Sequence, residues 1–356
     1  MGYNRHLFKM KKSFLMLMAL CACALMSFAQ SSQIAILSHE GNISTYYGVD
    51  ALKEAYNAAE TGDVITLSSG TFNATDISKS ITLRGAGMQA DPEKGILPTI
   101  LDGNYSINKT DSSILKLENI YHNGEIRYTT IYNAFFYKCR FNYFRDANYG
   151  SNNDIQFDEV TFLHCKIVGG FTITAASRDK NSSYLFRNSI VNDFSIISVA
   201  INGNYCRHYA TIENSIIICI DLPHARVYNS IVMTDAEETE LGDSNSLFYN
   251  CVGVHLSYDT DVSFDYAYSY NCSNKVLDAS LFKTYRGTYS DSETFELTDE
   301  AKTLYLGTDG TEVGIYGGNM PFSPTPLIPQ IKRCNVAGKT TVDGKLSVDI
   351  EVQGVE

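Results

Sequence analysis

Three arginines, Arg187, Arg207 and Arg226, stand 20 and 19 residues apart. A guanidinium holds carboxylates and phosphates through a planar fork of donors, so a column of them could grip an anionic polymer. Measured against the next Asn of the repeat described below (Asn188, Asn214, Asn229), they lie 1, 7 and 3 residues upstream. In a strand, a one-residue offset sends a side chain to the opposite face, so the three are not expected to stack and read as solvated. His208 and His224 lie 6 and 5 residues before their Asn, nearly in register, and an imidazole can act as acid or base near neutral pH. Asp221, within Cys219-Ile220-Asp221-Leu222, is a lone carboxylate in strand-like text. Arg207, His208, Asp221 and His224 are therefore the catalytic candidates. A glycoside hydrolase needs two carboxylates several Å apart, and no Asp-Asp pair occurs; Asn152-Asn153-Asp154 and Asn192-Asp193 have no partner of the right kind.

Two acidic stretches could hold Ca²⁺, which takes carboxylate and carbonyl oxygens. One runs from Asp235 through Glu237, Glu238 and Glu240 to Asp243; the other holds Asp259, Asp261 and Asp265, the candidate metal ligands. Neither has the Gly and terminal Glu of an EF-hand, and a solvated loop is the plainer reading of each. No zinc motif, nucleophile elbow or phosphate-cradling loop is present; Gly85-Ala86-Gly87 is a turn because no helix follows it. Tyr numbers 24 while Trp is absent. Tyr205, Tyr209, Tyr266 and Tyr268, with Tyr143, Tyr149, Tyr184 and Tyr270, lie in polar, Asn-rich text. Aromatic faces can stack on sugar rings while Asn supplies hydrogen bonds, and the first four are the candidate binding residues. Half-buried sheet positions are the plainer place for Tyr.

What would position these residues begins with a leader. Arg5, Lys9, Lys11 and Lys12 precede an apolar run at 14–26, and Ser27-Phe28-Ala29 ends in small residues. That is the pattern of a secretory signal peptide, expected to be cut after Ala29. A start at Met10 gives the same leader, and lipidation at Cys23 is the rival processing. The expectation is a secreted or outer-surface protein. Without those four basic residues, 24 Lys and Arg face 40 Asp and Glu, a net charge of −16. Such a surface disfavours nucleic acid as a partner. No second run is long enough to span a bilayer as a helix, and a monomer is expected. Seven cysteines follow the leader, an odd number without CxxC spacing; several stand in apolar strand text, which favours buried free thiols.

Residues 48–87 hold the clearest local signals. Val49, Leu52, Ala55, Tyr56 and Ala59 fall on one helical face, Asp50 suits the first turn, and Gly62 is a stop. Short β-rich runs follow at 64–67 and 81–83. Beyond about residue 110 a phrase recurs: an apolar or aromatic residue, a variable one, a polar one (most often Asn), then Ser or Cys. It appears as Phe136-Tyr137-Lys138-Cys139, Phe162-Leu163-His164-Cys165, Phe186-Arg187-Asn188-Ser189 and Ile212-Glu213-Asn214-Ser215. Val227-Tyr228-Asn229-Ser230, Phe248-Tyr249-Asn250-Cys251 and Ser269-Tyr270-Asn271-Cys272 continue it; the Ser/Cys intervals are 26, 24, 26, 15, 21 and 21. Short strands repeating at this period indicate a β-solenoid, whose coils bury a core only by stacking. Asn tolerates the left-handed backbone of a sharp bend, and stacked Asn amides are expected to bond one another in a ladder. An antiparallel sandwich is the competing fold, but hairpin dipeptides do not recur with the phrase.

The blocks Val49-Asp50-Ala51-Leu52, Gly62-Asp63-Val64-Ile65, Ser69-Gly70-Thr71-Phe72 and Ile81-Thr82-Leu83-Arg84-Gly85 resemble the N-terminal end of pectin-lyase-like right-handed parallel β-helix proteins. The resemblance covers about residues 34–318. It implies a right-handed solenoid over 30–320 with a capping helix near 49–60. Segments 304–310 and 313–318 would form its last coil. Residues 321–356, with Pro321, Pro324, Pro326 and Pro329, read as a linker and a C-terminal strand at 346–352. That family includes polysaccharide lyases, glycoside hydrolases, esterases and non-catalytic adhesins, so the fold alone does not choose an activity. A lyase of this kind would use a Lys or Arg base and Ca²⁺ against a substrate carboxylate. The expectation is a non-catalytic protein binding glycan or another surface through coils 130–275, with a polysaccharide lyase or hydrolase as the alternative.

Overall fold

The computed structural model describes residues 33–147, 156–175, 182–198, 208–219, 222, 225–234, 239–240, 246–255, 262–263, 269–285, 287, 289–290, 292–326, 330–336, 344–345 and 348–353. They form an all-β parallel solenoid. Its first ladder runs through Val64–Leu67, Thr82–Arg84, Leu115–Glu118, residues 134–137, residues 160–163, Ser182–Arg187, His208–Glu213, Ala225–Tyr228, Leu247–Tyr249 and Ser269–Tyr270, each strand parallel to the next. A second ladder runs from Gly70–Asn73 through Thr99–Asp102, residues 121–122, 140–141 and 166–167, then residues 190–191 and Ile216–Cys219. It ends through Ile231–Thr234, Val252–His255 and Ser273–Leu277. A third, shorter ladder stacks Tyr105–Lys109 on 126–131, with later members at 143–146, 170–175 and 194–198.

The repeated phrase is the corner between the first two ladders. Asn119, Lys138, His164, Asn188, Asn214, Asn229, Asn250 and Asn271 all have φ between 45° and 58°. This is the left-handed region that Asn enters most cheaply among residues with a side chain. The corner sorts its neighbours. Two residues before it the side chain points inward: Phe136, Phe162, Phe186, Ile212, Val227 and Phe248 are all buried. One residue before it the side chain points out. One residue after it, Cys139, Cys165, Ser189, Ser215, Ser230 and Cys251 point in.

That last column satisfies backbone donors the corner would otherwise strand. The Ser189 hydroxyl accepts from the Cys165 N–H (3.0 Å), Ser215 from Ser189 (3.2 Å) and Ser230 from Ser215 (3.0 Å). Each hydroxyl also donates to the carbonyl two residues upstream, at 2.9, 2.8 and 2.7 Å. A small side chain in this slot thus accepts from the preceding coil and donates to a carbonyl of its own coil. Cys139, Cys165, Cys251 and Cys272 are free thiols.

Inside, like stacks on like. Phe136, Phe162 and Phe186 lie face to face with centroids 4.8 and 4.7 Å apart, and Phe144, Phe171 and Phe194 follow at 5.6 and 5.5 Å. Fully burying each ring stabilises by roughly 1.5–3 kcal/mol. Tyr184, one of the tyrosines in polar text, goes further than the half-buried sheet position expected: it is 3 % exposed and edge-on to Phe157 and Phe186. His122 is also internal, stacked on Phe141 at 4.7 Å and bonded through Nδ1 to the Tyr105 hydroxyl. Burial pushes its pKa down to about 3.

At the N-terminal end the helix Ala51–Ala58 packs Ala51, Leu52, Ala55 and Tyr56 into this core. Val49, expected on its face, precedes the helix and is exposed. Gly62, at φ 98°, turns the chain three residues after the C-cap Ala59 rather than ending the helix. The Lys79 ammonium instead takes the carbonyls of Tyr56 and Ala59. Unannounced by the sequence reading, an antiparallel hairpin, Ile34–His39 with Asn42–Tyr47, pairs with Val64–Leu67 and so covers the edge of the first coil. Its turn uses Glu40 and Gly41, both at positive φ.

The C-terminal part departs from the expected last coil. After the helix Asp278–Leu281, Phe282, Tyr285, Phe295, Leu297 and Ala301 pack across the outside of the second ladder. The helix Asp299–Leu304 is capped there by the Thr298 hydroxyl, which accepts from the Ala301 N–H. Leu281, Phe282, Tyr285, Phe295, Leu297, Val313 and Ile315 make a second apolar core with Ile190, Ile216, Ile218, Ile231, Met233, Val252 and Val254. Residues 306–325 then run back as a strap along the corner column. Asn250 donates to the Leu306 carbonyl (2.9 Å), Asn188 to those of Ile315 and Gly317 (2.9 and 2.8 Å), and His164 Nε2 to that of Met320 (3.0 Å). Asn229 bonds Thr308, and the Lys138 ammonium reaches the Thr325 carbonyl.

The expected Asn–Asn ladder is therefore not at this corner: the strap takes these amides. Such a ladder does occur at the corner between the second and third ladders. Asn123 donates to Asp102 (2.8 Å) and Asn142 to the Asn123 carbonyl and amide oxygens (3.1 and 3.2 Å). Finally, Gln330–Val336 and Val348–Gln353 pair antiparallel, which gives the expected C-terminal strand a partner within the chain.

Candidate functional site

Between the first ladder and the strap lies a cleft of about 480 Å³. Its solenoid wall is Arg187, Asn188, Glu213, Asn214, Tyr228 and Asn229; its strap wall is Thr308, Asp309, Gly318, Asn319 and Met320. The solenoid wall is two adjacent rows of the repeat, the outward residue before each corner and the corner itself. Register places Arg187 beside Glu213, Glu213 beside Tyr228, Tyr228 beside Tyr249, and Tyr249 beside Tyr270.

The row changes character along its length. Arg187 Nε donates to Glu213 Oε2 at 2.7 Å, an exposed charge-assisted pair. Tyr228, Tyr249 and Tyr270 then stack with centroids 5.0 and 4.8 Å apart and planes within 10° and 7° of parallel. Tyr270 ends the stack, 53 % exposed. Below the row, both ends of the Asn229 amide are engaged: Oδ1 accepts from the Thr308 N–H (2.9 Å) and Nδ2 donates to its hydroxyl (3.3 Å). The Asn188 amide is held by two strap carbonyls. Asn214 is 7 % exposed, and its buried Nδ2 has no hydrogen-bond partner. It faces Gly317 and Gly318, where a Cβ on Gly317 would meet that nitrogen at 2.8 Å. Across the cleft, burial works against the charge of Asp309, but the Thr311 N–H (3.0 Å) and hydroxyl (2.7 Å) hold its carboxyl below the usual range.

The cleft offers the Tyr228 ring, amide and hydroxyl groups, one guanidinium and two carboxylates. It suits a ligand with both an apolar face and a rim of hydroxyls.

Comparison with models of known protein families gives no match, and comparisons with curated proteins and with solved structures give no significant match either. The chain's own chemistry is what identifies the site.

Of the residues expected to act, Tyr205, Arg207, Asp221, His224, Asp259, Asp261, Asp265, Tyr266 and Tyr268 lie outside the described residues, as does Tyr149. His208 and Tyr209 are described in backbone only, beside Ser182 and Ser183 in the first ladder. Arg187 and Arg226 are both exposed on that ladder but in different rows, Arg226 standing between Thr211 and Leu247. Tyr143 is 39 % exposed, with the Arg145 guanidinium 4.5 Å above its ring. His164 is a corner residue, as expected, with its pKa lowered to about 4 by burial and then by Lys138. Among the described residues no three His, Cys, Asp or Glu side chains converge on one point.

The sequence reading missed Glu213, Asp309 and two of the stacked tyrosines, Tyr228 and Tyr249; Tyr270 was noted only as lying in polar text. The tyrosines were signalled: Val-Tyr-Asn-Ser, Phe-Tyr-Asn-Cys and Ser-Tyr-Asn-Cys put Tyr in the same slot of three successive phrases. Asp309 had no signal, because its place depends on the strap.

Proposed function

We propose that this protein is an exported β-solenoid of right-handed, pectin-lyase-like type that binds an extracellular glycan without cleaving it. The tyrosine row supports this reading most strongly: three parallel rings, spaced by the coil repeat and ending in an exposed face at Tyr270, lead directly into an amide-lined cleft. The ring edges and hydroxyls of the stack, the open face of Tyr270 and the bordering Asn, Thr and Asp suit the apolar faces and hydroxyl rims of a sugar chain. The winding sense follows the strong right-handed preference of parallel β crossovers. Export rests on the leader at 1–29, and the net charge of −16 after it leaves neutral glycans as the best match to the surface. Among the described residues, no helix is long and apolar enough to cross a membrane.

A glycan-array screen of the protein lacking residues 1–29 tests the proposal. Retention of one or more neutral oligosaccharides, lost in Tyr249→Ala, is the expected result. Shortened or unsaturated products from a retained glycan would move the assignment to a hydrolase or lyase. No retention of any glycan would remove it.

A further inference from the structure

The column behind the corner holds two cysteines, then three serines, then two cysteines, so in two places cysteines occupy neighbouring coils. Cys139 is followed by Cys165, and Cys251 by Cys272. Register confirms the stacking: Tyr137 and Arg140 pair with Leu163 and Lys166, while Tyr249 and Val252 pair with Tyr270 and Ser273. Stacked parallel strands stand ~4.8 Å apart, inside the roughly 4.4–6.8 Å between α-carbons that a disulfide spans.

The two pairs differ in what can reach them. Cys139 and Cys165 are both 0 % exposed, between the Phe136 and Phe162 rings and the Ile120 and Ile167 side chains of the same closed core. Cys272 lies at the end of the column and is only half-buried. Its Sγ accepts from the Cys251 N–H at 3.4 Å, so the sulfur already points at its neighbour.

We propose that Cys251 and Cys272 are a site of oxidative cross-linking, closed by a low-molecular-weight disulfide, while Cys139 and Cys165 remain thiols. The Cys272 thiolate attacks one sulfur of the oxidant; that S–S bond breaks, one thiolate leaves, and a mixed disulfide forms on Cys272. Cys251 gives its proton to water and its sulfur attacks Cys272 Sγ, expelling the second thiolate. Two protein thiols and one disulfide become one protein disulfide and two small thiols. The Cys251 thiol lies against the carbonyls of Val227 and Tyr249, at 3.5 and 3.4 Å, contacts it gives up on closure.

The acidities fit this order. The Cys251 side chain, hydrogen-bonded to Cys272, brings the latter's pKa down to about 7, which favours the attacking thiolate. Burial pushes Cys251 and Cys165 well above their ordinary value and Cys139 up to about 12, so Cys272 is the thiol that starts the exchange and Cys251 the one that resolves it, and the inner pair has no such starter. The cross-link would staple the coil that carries Tyr270, the open end of the aromatic row.

The test equilibrates the folded full chain with oxidised glutathione, then alkylates under denaturing conditions and maps the peptides. A Cys251–Cys272 peptide lighter by two hydrogens, with Cys139 and Cys165 alkylated, is the expected result. Alkylated Cys251 and Cys272, a persistent glutathione adduct on Cys272, or a Cys139–Cys165 peptide would each overturn it. The variant Cys272→Ser guards against a folding artefact, since Ser occupies the same slot at 189, 215 and 230. Reductant should lower the denaturation midpoint of the oxidised wild type and leave that of Cys272→Ser unmoved; equal responses would contradict the proposal.

Discussion

In the coils around Asn188, Asn214 and Asn229, the outer face of the first ladder carries Arg187, Glu213 and Tyr228, while the outer face of the second carries Ile190, Ile216 and Ile231. The two faces share one core, one corner and one Ser/Cys column. Their fates differ because the second was built to be covered. Residues 281–315 bring Leu281, Phe282, Phe295 and Leu297 onto its isoleucines, and the chain returns as the strap without crossing the tyrosines. In these three coils the isoleucine two residues after the corner reports a second, external core, and the position before the corner is the one that core leaves uncovered.

The largest expected effect breaks the covered face. Ile231→Asp would bury a carboxylate with no partner among Ile216, Met233 and Ile315, and should cost about 4 kcal/mol or more in urea unfolding. Phe282→Ala should cost about 3–5 kcal/mol there. Acid strikes the shared core instead. His122 has its folded pKa lowered to about 3 from an ordinary 6.5. Between those values the unfolded chain binds the extra proton, so this contribution is intact above pH 6.5 and declines as pH falls toward 3. The slope is about 1.4 kcal/mol per pH unit. His122→Phe should flatten that part of the pH–stability curve measured by denaturation.

Smaller effects separate the strap from the row. Asn188→Ala leaves the Ile315 and Gly317 carbonyls without their donor; a loss of about 1–3 kcal/mol is expected. Hydrogen exchange should quicken at the Gly318 amide and not in the first ladder's early strands. Tyr249→Ala removes two stacked pairs, so it should cost about 1–3 kcal/mol in urea unfolding and weaken glycan binding about tenfold by calorimetry, since its ring separates Tyr228 from Tyr270. Smallest is Glu213→Gln, whose exposed pair with Arg187 contributes under about 1 kcal/mol. Its denaturation midpoint should lie within error of wild type at 0.5 M salt.

The solenoid was legible because its cause is local and repeated. A left-handed corner needs Asn, the position behind it needs a small hydrogen-bonding side chain, and the position two before it needs a ring or branched chain. All three demands recur at the coil period. His164 and Lys138 were readable as corners from their slot alone, and both have positive φ. The strap was not legible. Its bonds join Asn188 to Gly317 and Lys138 to Thr325, contacts between distant residues made mostly by backbone carbonyls, which leave no residue-type signature. The cleft inherits that blindness: the Arg187 side could be read from the repeat, the Asp309 side could not. Spacing also misled where phase was ignored. Tyr184 stands in polar text, yet lying four residues before a corner puts it on the inward face.

The contrast between an open aromatic row and a covered apolar face can be read directly from ring signals. With ring-labelled tyrosine and a neutral oligosaccharide retained by the array, NMR titration should shift Tyr228, Tyr249 and Tyr270 together along one binding curve. Tyr285, buried under the covered face, should stay fixed. Saturation with no movement of the three stacked tyrosines, or with the shift confined to Tyr285 and its neighbours, would contradict the account.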